Sequence, residues 1–171
     1  MTFMELAKAR YSVRSFSDKQ IEPEKLAAIL EAGKIAPTAT NAQPQKIYVL
    51  QSKEALGKIN SVCRCIFGAP TVLVIGYDKD LDWKNPLMPP YHSGETDAAI
   101  VCTHMMLEAA EQGIGSCWVG FFNADEVLKV LDLPENVQVT ALLPIGYPSD
   151  TAAPSERHEK YRDDSETVRF L

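Results

Sequence analysis

Apolar positions along the chain fall into two kinds of block. Those spaced three and four apart read as helix, and those running together read as strand. Thr2, with Glu5 three residues on, has the capping-box pattern and predicts a short helix to about Arg10. Pro23 suits the first turn of a second helix, whose Leu26, Ile29, Leu30 and Gly33 form one close-packing face to about Ile35. Phe16 and Ile21 are expected to dock the connection between the two. Ile47 to Leu50 reads as a strand. Ser52 can cap the next helix, carrying Leu56, Ile59 and Val62. Thr71 to Ile75 is a continuous apolar run after Pro70, the pattern of a central strand buried on both faces.

The longest helix runs from Glu95 to Gln112 and is apolar around much of its surface, so it should be central or shared between subunits. Met105-Met106 reads as core packing and His104 as a satisfied core or interface histidine. Gly113 ends this helix. Gly115 to Gly120 then predicts a strand entering a tight turn. Asn123 and Glu126 repeat the capping-box pattern before a short helix through Leu131. Val137 to Ile145 is a further strand, closed by Gly146-Tyr147-Pro148. The final run, Thr167 to Leu171, has strand propensity and is expected to add to a sheet edge, its own or a partner's.

Two stretches fit neither period. Ala36 to Pro44 holds small and amide side chains between prolines, which predicts an ordered loop. Its Asn41 and Gln43 carry donors and acceptors together. They suit either the edge of a heteroaromatic ring or the closing of tight turns. Asp78 to Ser93 contains Pro86, Pro89 and Pro90, which exclude regular structure. It also contains Trp83, Leu87, Met88 and Tyr91, too apolar for a solvated linker. A loop of that length is a lid, a binding wall or a packed surface excursion.

Length, 171 residues, is that of one domain spanning 1–171 with a substantial core. A formal net charge of −6 argues against a general nucleic-acid or anionic-membrane binder, while leaving room for a local basic pocket. Cys63, Cys65, Cys102 and Cys117 lack the spacing of zinc or dithiol redox sites and read as free thiols in a reducing compartment. With no leader-like N-terminus and no apolar run of about 18 residues, the expected setting is cytoplasmic.

Against that acidic background stands Arg10-Tyr11-Ser12-Val13-Arg14-Ser15-Phe16. Two guanidiniums four residues apart share a face in a helix and also in an extended chain, and Ser12 sits between them. A planar guanidinium matches phosphate oxygens two at a time, so the stretch is a candidate phosphate grip. The plain alternative is two surface arginines paired with acidic neighbours. Trp118 can be core or ring-stacking wall, and Gly120 would let backbone approach a ligand closely.

Five stretches then coincide in order: Arg10-x-Ser12-x-Arg14-x-Phe16, Ala36-Pro37-Thr38 with Asn41-x-Gln43-Pro44, Asp97-Ala98-Ala99, Gly113-Ile114-Gly115-Ser116 to Gly120, and Pro144 to Pro148. Together they resemble the nitroreductase family of FMN oxidoreductases in its compact form, across nearly the whole chain. Thr38 stands where that family usually has Ser. The resemblance implies an α+β fold, a mixed and mostly antiparallel sheet surrounded by helices. It also implies an intertwined homodimer with two flavin sites at the interface. FMN would be the cofactor, NADH or NADPH the electron donor, and a nitroaromatic, quinone or similar small molecule the acceptor, in a ping-pong cycle.

Carried over by position, Arg10, Tyr11, Ser12 and Arg14 match the phosphate and ribityl grip. Pro37, Thr38, Asn41 and Gln43 match the loop reaching the flavin ring, commonly from the other subunit. Trp118, Val119 and Gly120 match the turn whose N–H faces the ring. A basic residue near the C-terminus completes the phosphate site, Arg157 first and Arg162 as fallback. The flavin carries the chemistry, so no catalytic side chain or metal is implied. A same-fold oxidase or dehalogenase, or a non-catalytic FMN-binding protein, is the alternative.

Overall fold

The computed structural model describes residues 1–171. Its sheet has the order β1-β2-β4-β3, from Gln45–Leu50 (β1), Thr71–Asp78 (β2), Gly115–Ser116 (β3) and Val137–Gly146 (β4). All three pairings are antiparallel, and the sheet is mixed only through a parallel bridge between Ser12 and Ser116. The helices are Phe3–Ala9 (α1), Pro23–Ile35 (α2), Lys53–Val62 (α3), Gly94–Glu111 (α4), Ala124–Leu131 (α5) and Asp164–Thr167 (α6).

β2 is the central strand that its apolar run predicts, buried along its whole length. Its side chains alternate between two cores. Leu73, Ile75 and Tyr77 face α2 and α4, while Val72 and Val74 pack with the α3 and α5 side chains. β4 alternates likewise, with Ala141, Leu143 and Ile145 under α4 and Leu142 opposite. A register shift between Ile75 and Gly76 pairs Ile75 with Ala141 and Gly76 with Val139, leaving Thr140 as the extra residue. The bulge turns Val139 to the α3/α5 side, a face that strict alternation would deny it.

α4 lies across the sheet with Ala98, Val101, Cys102, Met105 and Ala109 fully buried. Its first turn can settle on β2 only because residue 94 is glycine. A Cβ there would stand 2.1 Å from the Tyr77 ring. Thr2 and Glu5 close both halves of the capping box on α1. On α5 only the Asn123 half forms, its side chain accepting from the Asp125 and Glu126 N–H groups.

Two strand expectations change. The run from Gly115 holds regular pairing for two residues only, because the next position on β4 is Pro144, which has no N–H to give. Cys117 N–H still reaches the Pro144 carbonyl at 3.2 Å, and Val119 pairs with Leu142. The C-terminal run joins no sheet of its own chain. Asp164–Thr167 takes one helical turn, supported by the Arg162–Glu166 pair four residues apart, and Phe170 and Leu171 end fully exposed.

The end of β4 is tied to α2 through Tyr147. Its hydroxyl accepts from Lys25 Nζ at 2.9 Å and donates to Glu22 Oε2 at 2.6 Å. That hydrogen bond, with a second from Lys19, holds the Glu22 carboxyl down at about 2. A depressed carboxyl adds stability above its ordinary 4.5 and loses it as pH falls towards 2. Tyr147→Phe should therefore move the Glu22 titration midpoint up towards 4.5 in a carboxyl NMR titration. An unmoved curve would show that the hydroxyl is not the cause.

Candidate functional site

Residues 10–17 leave α1 in extended conformation and run along the sheet's open edge. Arg10 itself has extended backbone. Val13 N–H donates to the Ser116 carbonyl at 2.9 Å and Ser17 N–H to the Tyr147 carbonyl at 2.9 Å. Val13 is buried against Gly115, where a Cβ would come within 2.7 Å of its methyl, so glycine permits the docking. With Val13 turned inward, alternation leaves Ser12 and Arg14 on the outer side.

There the arginines converge. A cleft of about 230 Å³ is lined by Arg10, Tyr11, Ser12, Arg14, Ser155, Arg157 and His158. The tail that brings Arg157 is fastened by His158, whose Nε2 lies 3.0 Å from the Lys8 carbonyl and whose ring meets Tyr11 edge-on. Arg162 does not line the cleft and pairs with Glu166 instead. Arg10, Arg14 and Arg157 enter no ion pair, and Arg14 makes one bond, to the Ser12 carbonyl at 3.2 Å. The alternative of arginines neutralised by surface acids is therefore not what the chain adopts.

Beneath Ser12, the Ser116 hydroxyl is buried without a partner. Burial pushes the neighbouring Cys117 thiol up, while the charges of Arg14 and Arg10 and a hydrogen bond with Ser12 pull the other way. Burial raises Cys63 and Cys102 too, and all four cysteines are free. Buried thiols raised in this way, as at Cys63, Cys102 and Cys117, are poor nucleophiles.

The turn after β3 divides its roles. Trp118 is half-buried and packs against the α4-side core. Val119 is buried and exchanges both backbone bonds with Leu142, at 2.9 and 3.0 Å. Gly120 is exposed, and its N–H donates to no group of the chain.

The loop with Pro37, Thr38, Asn41 and Gln43 does not line the arginine cleft. It is tightly built: Thr38 accepts from Asn41 N–H at 3.0 Å through its carbonyl and from Gln43 N–H at 3.0 Å through its hydroxyl. Thr40, Asn41 and Gln43 have φ of 52°, 57° and 50°, left-handed values that cost non-glycine residues about 1–3 kcal/mol each when context imposes them. Thr38 closes this turn, whereas the exposed Asn41 and Gln43 make no side-chain bond to the chain, so turn closure is not the work of their amides.

The Asp78 to Ser93 excursion is ordered at its base. The buried Asp82 carboxylate takes Lys84 and His92, whose Nδ1 lies 2.5 Å away, and Ser93 N–H donates to the Trp83 carbonyl at 2.9 Å. Leu87 and Met88 stand exposed at its tip.

The sequence model of the nitroreductase family matches residues 7–67 and 63–147, taking in the arginine stretch, the amide loop and all four strands. The chain belongs to the nitroreductase family. Its α+β architecture is that family's fold. A nitroreductase family protein of Clostridium difficile 630 matches with a TM-score of 0.93 and 40% identity, over 99% of this chain and 98% of that one. An FMN-dependent nitroreductase of Clostridium difficile R20291 matches at 0.78 and 26%, over 98% of each. A relative from Archaeoglobus fulgidus, provisionally named as an NADH dehydrogenase/NAD(P)H nitroreductase, is 30% identical over 162 residues, covering 91% of this chain and 90% of its own length.

The resemblance asked for a basic residue near the C-terminus, Arg157 or Arg162, and gave no sign of Ser155 or His158. Adjacency to Arg157 was the one clue to His158. Ser116 was out of reach, because its pairing with Ser12 spans over a hundred residues and only the fold makes it.

Proposed function

We propose that this nitroreductase is an FMN-dependent NAD(P)H oxidoreductase acting on a nitroaromatic, quinone or similar small acceptor, as a homodimer. The observation that carries the reading is the cleft of three unpaired arginines with Ser12 in a chain of net charge −6. The donor set suits a phosphate, and the spare Ser116 hydroxyl and the free Gly120 N–H suit a ligand rich in acceptors.

Arg10, Arg14 and Arg157 would hold the phosphate by charge-assisted hydrogen bonds, with Tyr11 and Ser12 completing the socket. Val119 fixes the turn through Leu142 so that the Gly120 N–H stays available. Trp118 sets that turn on the core. Pro37 and Thr38 shape the loop that offers Asn41 and Gln43. When bound, FMN supplies the redox chemistry, taking two electrons from NADH or NADPH and giving them to the acceptor. The Trp83 and Tyr91 segment is the proposed wall that limits acceptor shape.

Two observations support the dimer. The amide loop and the arginine cleft are separate within one chain, which suits each site taking its loop from the partner. Phe3, Met4, Ile35, Tyr161 and Phe170 are exposed at 60% or more, an apolar total that association would cover. No helix is long and apolar enough to cross a membrane.

Steady-state kinetics test the reading. Varying NAD(P)H at several quinone or nitroaromatic concentrations should give the parallel double-reciprocal lines of a ping-pong enzyme. Tight flavin binding with no NAD(P)H consumption on any such acceptor would favour different flavin chemistry or a binding protein.

A further inference from the structure

Asp97 is 1% exposed, and no cation pairs with it. An unpaired buried carboxylate is costly unless hydrogen bonds and a favourable field hold it. Asp97 has both, lying in the first turn of α4 and accepting two bonds from two different loops. Its Oδ1 takes the Ala39 N–H at 2.9 Å, and its Oδ2 takes the Ser93 hydroxyl at 2.7 Å. The Ser93 oxygen accepts in turn from Trp83 N–H at 3.1 Å. One chain of bonds thus runs from the amide loop through Asp97 and Ser93 to the wall segment.

Ala39 immediately precedes the left-handed residues Thr40 and Asn41. A β-branched residue such as Thr40 is seldom found there and stays only where its surroundings over-determine it. The other bonds shaping residues 38–43 are internal, from Thr38, Ala39 and their neighbours. The Ala39–Asp97 bond is the anchor that fastens this strained turn to the rigid helix.

We propose that Asp97 is a positioning residue: it fixes the backbone that presents Asn41 and Gln43, and through Ser93 it joins that loop to the Trp83 wall. The flavin consequence rests on the function proposed above, whereas the tether between the two loops does not.

Hydrogen exchange on the FMN-free protein tests the tether. Asp97→Ala should speed exchange roughly tenfold in peptides covering 37–44 and 79–93 together, with β2 and β4 unchanged. Asp97→Asn keeps an oxygen for Ala39 N–H and should restore protection of 37–44. Ser93→Ala should loosen 79–93 and spare 37–44. FMN titration by fluorescence quenching should show affinity down roughly tenfold in Asp97→Ala and near wild type in Asp97→Asn, the scale of one charge-assisted bond.

Unchanged exchange at 37–44 in Asp97→Ala would overturn the proposal. So would an increase spread evenly over the sheet, the sign of plain destabilisation. If Asp97→Ala does not fold, Ser93→Ala decides, since wild-type protection of 79–93 there contradicts the link. A wild-type chain that takes up no FMN would defeat the flavin reading, and exchange would still judge the tether.

Discussion

Replacing Arg10 and Arg14 together with alanine is expected to weaken FMN binding by roughly a thousandfold while leaving the fold intact. Hydrogen bonds to charged groups contribute about 1.5–3 kcal/mol each, and ~1.4 kcal/mol is tenfold in affinity, so two such contacts span roughly 10² to 10⁴. The fold should tolerate the change because neither guanidinium is in an ion pair, and the one bond lost is Arg14 to the Ser12 carbonyl. Arg10→Lys should recover only part of the affinity, since an ammonium keeps the charge but not the planar fork. Fluorescence titration with FMN reads the affinity, and thermal unfolding of the apo protein reads the fold. A double variant that bound FMN like wild type would return both arginines to the status of surface residues.

The second large effect is on stability. Leu143 is fully buried on β4, opposite Leu73, in the core beneath α2 and α4. Truncating it to alanine removes three carbons from a close-packed layer and should cost about 2–5 kcal/mol, depending on how far neighbours relax. Urea unfolding of the FMN-free protein measures this. Wild type and variant must be compared at one chain concentration, because association would couple to stability. A loss below about 0.5 kcal/mol, typical of a surface site, would contradict the position of the core.

Much of this fold was legible because its signals are local. The apolar run at Thr71 to Ile75, the caps at Thr2 and Ser52 and the glycine at 113 each act within a few residues, and the elements follow them. What failed depended on partners distant in sequence. The strand from Gly115 is cut short by Pro144 across the ladder, and the Thr140 bulge that sets the face of Val139 had no signal in the strand's own sequence. Thr167 to Leu171 has strand propensity, yet no edge of its own chain receives it, and Phe170 and Leu171 stand exposed on the single chain.

The candidate site divides the same way. Arg10, Ser12 and Arg14 are visible in seven residues, and their common side survives because the segment is extended. Arg157 was separable from Arg162 only in three dimensions, where Glu166 takes one and the cleft takes the other. Asp97 was visible as part of a motif but silent about its work, since Ala39 and Ser93 meet it only after α4 is in place.

The central claim is tested most directly by the visible absorption spectrum of the purified protein, followed through anaerobic addition of NADH or NADPH. The account predicts a flavin band that bleaches with one of the two nicotinamides, and release of FMN equimolar with the chain on denaturation. A colourless protein that also fails to take up added FMN would contradict it.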